Sequence, residues 1–381
     1  MNVFVKNSKK TRILVDSISL LSQSTGIGRY TYEISKQIKN NKNFKTYFYY
    51  GYHSDKLLEQ SNKQKVLGAV SSLVKNYYIK KILRKFFVFL NKLYSPTYDI
   101  YWQPNFIPTE SIKMKHLITT VHDFSFILYK EFHPKERIEF FENNFFKNIY
   151  KSDIIIAVSK FSKKEILDRL EFPESKVKVI YNGVNHDVFK IYDDMSLPFG
   201  LPKKFIFSVG SIEPRKNLRG LLAAYNSLDE KYKKEYNLVL AGFKGWQNNE
   251  IMEIINNNKE YIHYLGYISD IELAKTYNLA SLFIYPSFYE GFGLPPLEAM
   301  ACGTPVITSN VSSLPEVCGD AAIYCDPYNT NDIKEKIQLV LEDETLKKHL
   351  SKSGLKQASK YNWKKSAKEH LKIFKEVLSE E

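Results

Sequence analysis

Between Leu282 and Gly303 the chain reads LFIYPSFYEGFGLPPLEAMACG, the stretch that most narrows its fold. LFIYPS is an apolar run ended by a proline, the pattern of a buried strand. Glu290-Gly291-Phe292-Gly293 then makes a glycine-bearing turn. Pro295-Pro296 opens a short helix that Gly303 closes, with proline at the start and glycine past the end. A strand, a glycine turn and a helix N-terminus in that order form an anion site, because unpaired backbone N–H groups and the helix dipole face one point. Glu290 and Glu298 bracket that point. A carboxylate does not bind phosphate, so each is left to accept hydrogen bonds from hydroxyl groups beside it. Phosphate and hydroxyl recognition side by side describe a nucleotide sugar. The plainer alternative makes Glu298 a helix-dipole partner and the glycines parts of a tight turn.

The alternation of strand and helix runs through the rest of the chain. Thr11–Leu20 reads as a strand and leads through Ser24-Thr25-Gly26-Ile27-Gly28-Arg29-Tyr30 into a helical stretch ending near Ile38. Tyr98–Phe106, His116–Phe124, Ile154–Ser159 and Val177–Val184 follow as strands. After a loose segment at 185–203 come Phe205–Gly210, Leu238–Gly242, Ile262–Ile268 and Pro305–Asn310, and Trp363–Leu378 is a charged amphipathic helix. Strands alternating with helices twice over imply two doubly wound α/β domains, which 381 residues suffice to build. His122-Asp123 lies at a strand's C-terminal end, where open α/β sheets place their ligands. Pro214 stops one strand and Asn217 is suited to cap the next helix, so Arg215 and Lys216 project near a helix N-terminus.

Charge is unevenly spread. Residues 1–190 carry 32 Lys and Arg against 17 Asp and Glu, a net +15, and the remainder carries a net −2. One domain is therefore expected to meet an anionic surface, phosphate-rich lipid or nucleic acid. Within residues 73–94 (LVKNYYIKKILRKFFVFLNKLY), Lys80, Lys81, Arg84 and Lys85 fall on one helical face, opposite an aromatic and aliphatic one. That pattern suits either a surface helix with a solvated face or one lying at a membrane interface. The opening MNVFVKNSKKTR has no signal-peptide character, and no run of 18 apolar residues is present to span a bilayer. Cys302, Cys318 and Cys325 have no metal-ligand spacing, and a reducing cytoplasm is expected.

The Glu290-to-Glu298 spacing, E-x7-E with Gly-Phe-Gly inside it, closely resembles the signature of retaining glycosyltransferases of family 4. The resemblance extends over nearly the whole chain. It implies the GT-B fold, two Rossmann-like domains facing across a cleft, over residues 1–187 and 188–361, with 362–381 returning to the first. Asn182-Gly183-Val184-Asn185 is similar to the family's crossover, with Asn185 where aspartate is commoner. By the same resemblance Gly26 and Gly28 form a loop facing the donor diphosphate, which Arg215, Lys216, Phe292, Gly293 and Leu294 also bind. His122 lies against the donor sugar, and Asp123 orients it or meets the acceptor. Glu290 holds sugar hydroxyls, Glu298 holds the ribose, and Tyr267 and Ile268 meet the base; whether Glu290 also acts as a nucleophile stays open. No metal or other cofactor is expected, since the basic pair carries the diphosphate charge. The expected reaction moves a hexose, mannose from GDP-mannose in the first instance, onto a lipid-linked saccharide of a surface polysaccharide or lipopolysaccharide. The protein would sit on the inner face of the cytoplasmic membrane through Lys80, Lys81, Arg84 and Lys85. The alternatives are a nucleotide-sugar epimerase of the same fold and, without any recognisable module for it, a nucleic-acid binder.

Overall fold

The computed structural model describes residues 10–21, 26–59, 95–193, 200–243, 245 and 249–379. The proposed membrane face, with Lys80, Lys81, Arg84 and Lys85, lies outside the described residues.

Two sheets organise the chain. The first holds β1 (Thr11–Asp16), β2 (Phe44–Tyr49), β3 (His53–Ser54), β4 (Tyr98–Gln103), β5 (Met114–Val121), β6 (Ile154–Ala157) and β7 (Val177–Val179), in the order β3-β2-β1-β4-β5-β6-β7. The second holds β8 (Phe205–Val209), β9 (Asn237–Ala241), β10 (Ile262–Tyr264), β11 (Leu282–Tyr285), β12 (Val306–Ser309) and β13 (Ile323–Cys325), in the order β10-β9-β8-β11-β12-β13. Apart from the short antiparallel β3, every strand pairs in parallel. Parallel strands covered on both faces must be apolar throughout, and FIFSV, NLVLA, LFIY and VITS are buried nearly end to end. In each sheet the winding reverses once, between β1 and β4 and between β8 and β11. Ligands of such sheets bind beyond the strands' carboxyl ends at that reversal.

Five helices matter for the site: α1 (Gly26–Lys39), α2 (Lys160–Arg169), α3 (Asp270–Leu279), α4 (Leu294–Ala301) and α5 (Trp363–Ser379). Gly293, at φ +103°, is the residue before α4, and Gly303, at φ +76°, follows it. Helix α5 packs on α1 beside the first sheet through a chain of buried polar contacts. Trp102 Nε1 donates to Thr120 Oγ1 at 3.1 Å, Thr120 and Tyr30 hydroxyls lie 3.0 Å apart, and Tyr30 meets His370 Nε2 at 2.6 Å. His370 Nδ1 donates to the Ser366 carbonyl at 2.8 Å, which leaves Nε2 as the acceptor of a neutral ring.

Several strands end earlier than their apolar runs suggest, β4 at Gln103 and β10 at Tyr264 among them, and three show where the chain goes instead. β1 stops at Asp16 because its carboxylate accepts from Ile18 N at 3.1 Å and turns the chain into a short 3-10 helix, Ile18–Leu21. β5 stops at Val121, since Asp123 Oδ1 takes both the backbone N (2.9 Å) and hydroxyl (2.7 Å) of Ser125 and starts a helical turn. β7 covers only Val177–Val179, and Val184 pairs instead with Asn362 ahead of α5. No helix among the described residues is long and apolar enough to cross a membrane.

Candidate active site

Four carboxyl-end segments converge: the start of α1 after β1, His122-Asp123 after β5, Glu213–Asn217 after β8, and Phe288–Leu294 after β11. The last of these is docked on the first sheet. Ser159 and Ser162 hydroxyls donate to the Gly291 carbonyl at 2.8 and 3.1 Å, and Ser162 also donates to His122 O at 3.0 Å. A side chain at position 291 would place its Cβ 1.9 Å from His122 O, so only glycine permits this approach. Beside it Tyr289 reaches into the first half, accepting from Phe124 N at 2.9 Å and donating to the buried Glu165 carboxylate.

Glu290 is buried and fully engaged. Its Oε1 accepts from Lys216 Nζ at 2.6 Å, Ser287 Oγ at 2.6 Å and Tyr285 OH at 2.9 Å, and Arg215 lies 3.2 Å from Oε2. Burial alone would raise its pKa; Lys216, Arg215 and these hydrogen bonds outweigh it and hold the carboxyl at about 2. Arg215 donates further to Tyr289 O (2.7 Å) and Glu213 (2.9 Å), while its buried Nε has no partner. Arg215 and Lys216 are thus not a bare cationic pair: Glu290 and Glu213 already face them.

Across the cleft, His122 is buried and donates through Nε2 to the Pro104 carbonyl at 2.8 Å, packed against the Tyr30 and Phe106 rings. Burial lowers its pKa and keeps the ring neutral. Asp123 is held the other way: burial raises its pKa, but Arg215 and the two Ser125 hydrogen bonds bring it below the usual carboxylate value. The structure therefore gathers His122, Asp123, Glu290, Arg215 and Lys216 at one place.

The remaining candidates fall out unevenly. Gly26 and Gly28 lie in the first turn of α1, so they are helical residues and not the body of a loop; Gly26 faces Leu294 at the start of α4, with 3.8 Å between its would-be Cβ and Leu294 Cδ1. Two helix N-termini thus approach each other across the cleft, as an anion between them requires. Phe292 turns its ring into the core against Tyr181 and Tyr361, leaving only backbone to face a ligand. Ile268 is likewise a core side chain, whereas Tyr267 is exposed and stacks on Phe243 at 4.6 Å.

Glu298 is paired where a free hydroxyl acceptor is expected. Arg29 of α1 crosses the cleft to bond it and reaches Asp270 of α3 at 2.5 Å. Burial raises the Glu298 pKa, and Arg29 opposes that rise. Asp270 and Tyr289 are the functional-site residues that motif reading passes over; Arg29 is legible as a neighbour of the Gly26–Gly28 turn, but its partners are not. A second crossing link joins Glu316 to the N-terminus of α2, where it accepts from Lys160 N (2.8 Å), Phe161 N (3.0 Å) and Tyr181 OH (2.8 Å).

Comparison with known proteins agrees with this geometry. A "Glycosyltransferase Family 4" model matches residues 24–188 and a "Glycosyl transferases group 1" model matches residues 193–357. The O-antigen chain mannosyltransferase B of Escherichia coli is 35% identical over 284 residues, which are 72% of this chain and 74% of that protein. The serotype-specific mannosyltransferase WbdA of the same species is 32% identical over 70% of this chain, a match spanning 34% of that longer protein. Among solved structures, sucrose-phosphate synthase from Thermosynechococcus elongatus superposes with a TM-score of 0.73 at 18% identity, over 98% of this chain and 100% of that one. The chain belongs to glycosyltransferase family 4: it is a glycosyltransferase of GT-B fold.

Proposed function

We propose that this enzyme transfers mannose from GDP-mannose to a lipid-linked saccharide in O-antigen or related surface polysaccharide assembly, with retention at the anomeric carbon. Both Escherichia coli relatives are mannosyltransferases, which supports mannose, and the first acts on the O-antigen chain, which supports that acceptor class. The observation that carries the chemistry is the meeting of Arg215, Lys216 and Glu290 with His122 and Asp123 across the cleft. In transfer the bond from the sugar C1 to the diphosphate breaks and a bond from C1 to the acceptor oxygen forms on the same face. The acceptor proton passes to the departing phosphate oxygen. The charges of Arg215 and Lys216 would meet the growing phosphate charge, aided by the N-termini of α1 and α4. Electrostatic stabilisation of this kind contributes on the order of 3 kcal/mol per well-placed donor.

Glu290 supports a positioning role better than a nucleophilic one. A carboxylate with a pKa of about 2 and four donors around it has little electron density to offer a carbon. The basic pair would stand in place of a metal. Domain limits at 187 and 361, an inner-membrane location and the base site around Tyr267 belong to the same reading.

The test is turnover by the purified full chain with GDP-mannose and a lipid-diphosphate-linked oligosaccharide, against UDP- and dTDP-sugars, with and without EDTA. Release of GDP and an extended lipid product, unaffected by EDTA, is the expected result. Transfer with UDP- or dTDP-sugars alone would replace the donor. Interconversion of the nucleotide sugar without acceptor would favour the epimerase.

A further inference from the structure

Four aromatic side chains form a strip beside the reacting centre, two from each half. Tyr129 and Phe132 follow β5; Phe288 and Tyr328 lie in the loops after β11 and β13. Tyr129 and Phe132 are 5.4 Å apart with planes within 18°, Phe132 and Phe288 6.3 Å and 33°, and Phe288 and Tyr328 4.9 Å and 28°. The Tyr129 and Tyr328 hydroxyls are 3.3 Å apart. Tyr328 is 66% exposed and the other three are half-buried, so Tyr328 carries most of the surface that the stacked rings offer to a ligand.

Each side of the strip is tied to a residue of the candidate active site. Phe288 N donates to Arg215 O at 3.0 Å, and Asn217 Nδ2 clamps Pro327 O, next to Tyr328, at 2.7 Å. Tyr129 N donates to Ser125 O at 2.9 Å, and Ser125 is the residue that holds Asp123. A ligand on these rings is therefore placed within reach of Asp123 and Arg215.

We propose that this aromatic strip is the binding platform for the acceptor saccharide, an inference that rests on the glycosyl-transfer reading above. A pyranose offers an apolar C–H face with a rim of hydroxyls. The former suits the electron-rich faces of aromatic rings and the latter the tyrosine hydroxyls. A lipid tail would leave the remaining hydrogen-bonding capacity of those paired hydroxyls unmet. A nucleobase has a separate stacked pair, Phe243 and Tyr267, on the far edge of the second sheet beyond β9 and β10.

The decisive variant is Tyr328→Ala, because that ring is exposed enough to be removed without unfolding the chain. Its acceptor KM is expected to rise about tenfold, with donor KM and kcat at saturating acceptor close to wild type. Tyr328→Phe, which keeps the ring, is expected to restore the acceptor KM. An unchanged acceptor KM in Tyr328→Ala, or a rise in donor KM instead, overturns the platform. Saturation-transfer NMR with a soluble mannose oligosaccharide judges it apart from turnover. Transfer from aromatic protons to sugar C–H protons is expected in wild type and is expected to weaken in Tyr328→Ala; no transfer in wild type overturns the proposal. A wild type that makes contact with the oligosaccharide but moves no sugar defeats the glycosyl-transfer reading and leaves the platform standing as a saccharide site.

Discussion

At the scale of single residues, Glu290 shows how a buried carboxylate is kept charged. Its desolvation is offset by three hydrogen bonds to one oxygen and two cations nearby. Glu290→Gln keeps the shape and removes the charge between Arg215 and Lys216. Turnover is expected to fall by about a hundredfold or more, the cost of losing one aligned group in the transition state. Nucleoside diphosphate affinity is expected to hold or tighten, because the cations lose a competitor. Steady-state kinetics with calorimetric titration of GDP checks both, and wild-type turnover in the variant would remove Glu290 from sugar handling. Glu298 behaves differently, since it shares Arg29 with Asp270; any hydroxyl it accepts must compete with that guanidinium.

At the scale of elements, α5 is attached by a buried apolar face, Trp363, Ala367, Ile373, Phe374 and Val377, and by one neutral histidine among them. Burial holds His370 at about 4, against an ordinary value of 6.5. Between these values the unfolded chain binds the proton and the folded chain does not, so stability falls as pH drops from 6.5 towards 4. The full effect is about 3 kcal/mol. Protonation would also end the acceptance of the Tyr30 hydroxyl by Nε2 and leave a charge in the core. Hydrogen exchange at pH 7 and pH 4.5 is expected to show α5 losing protection before the central strands of the first sheet. In His370→Gln the pH dependence over this window is expected to flatten. Equal loss across all elements would place the acid sensitivity elsewhere.

For the whole molecule, the two halves are held by ion pairs and caps that cross the cleft. Arg29 with Glu298 and Asp270 is one, Glu316 on the N-terminus of α2 is another, and Tyr289 on Glu165 and Phe124 is a third. Breaking a buried pair by removing one partner costs about 3–5 kcal/mol, because the other charge is stranded. Arg29→Gln is therefore expected to widen the cleft in solution: small-angle scattering should give a larger radius of gyration without nucleotide and a smaller one with it. A wild-type curve in the variant would show that the other contacts suffice. The net +15 on residues 1–190 bears on location. Binding to anionic vesicles is expected to weaken as salt shortens the Debye length from about 10 Å at 0.1 M to about 3 Å at 1 M. Glutamine at Lys80, Lys81, Arg84 and Lys85 is expected to reproduce the high-salt result. If that variant still sediments with vesicles as wild type does, attachment lies outside residues 80–85.

What could be read along the chain depends on near neighbours. Uninterrupted apolar runs such as LFIY must be buried strands, Pro295 and Gly303 delimit a helix by their backbone preferences, and the E-x7-E stretch marks the family. Strand ends were less legible: Asp16 and Asp123 each cut a run short by capping a backbone N–H two residues on, a competition that an apolar count ignores. The partners of the site residues lie beyond such reasoning. Arg29 meets Glu298 across 269 residues, Phe124 meets Tyr289 across 165, and Lys216 meets Glu290 across 74. No periodicity encodes those separations. The first two arise because two independently wound sheets dock with their carboxyl ends together, which sets Arg29 across the cleft; the third arises because β8 and β11 pair side by side in the second sheet, which brings the turn with the basic pair onto the turn with Glu290.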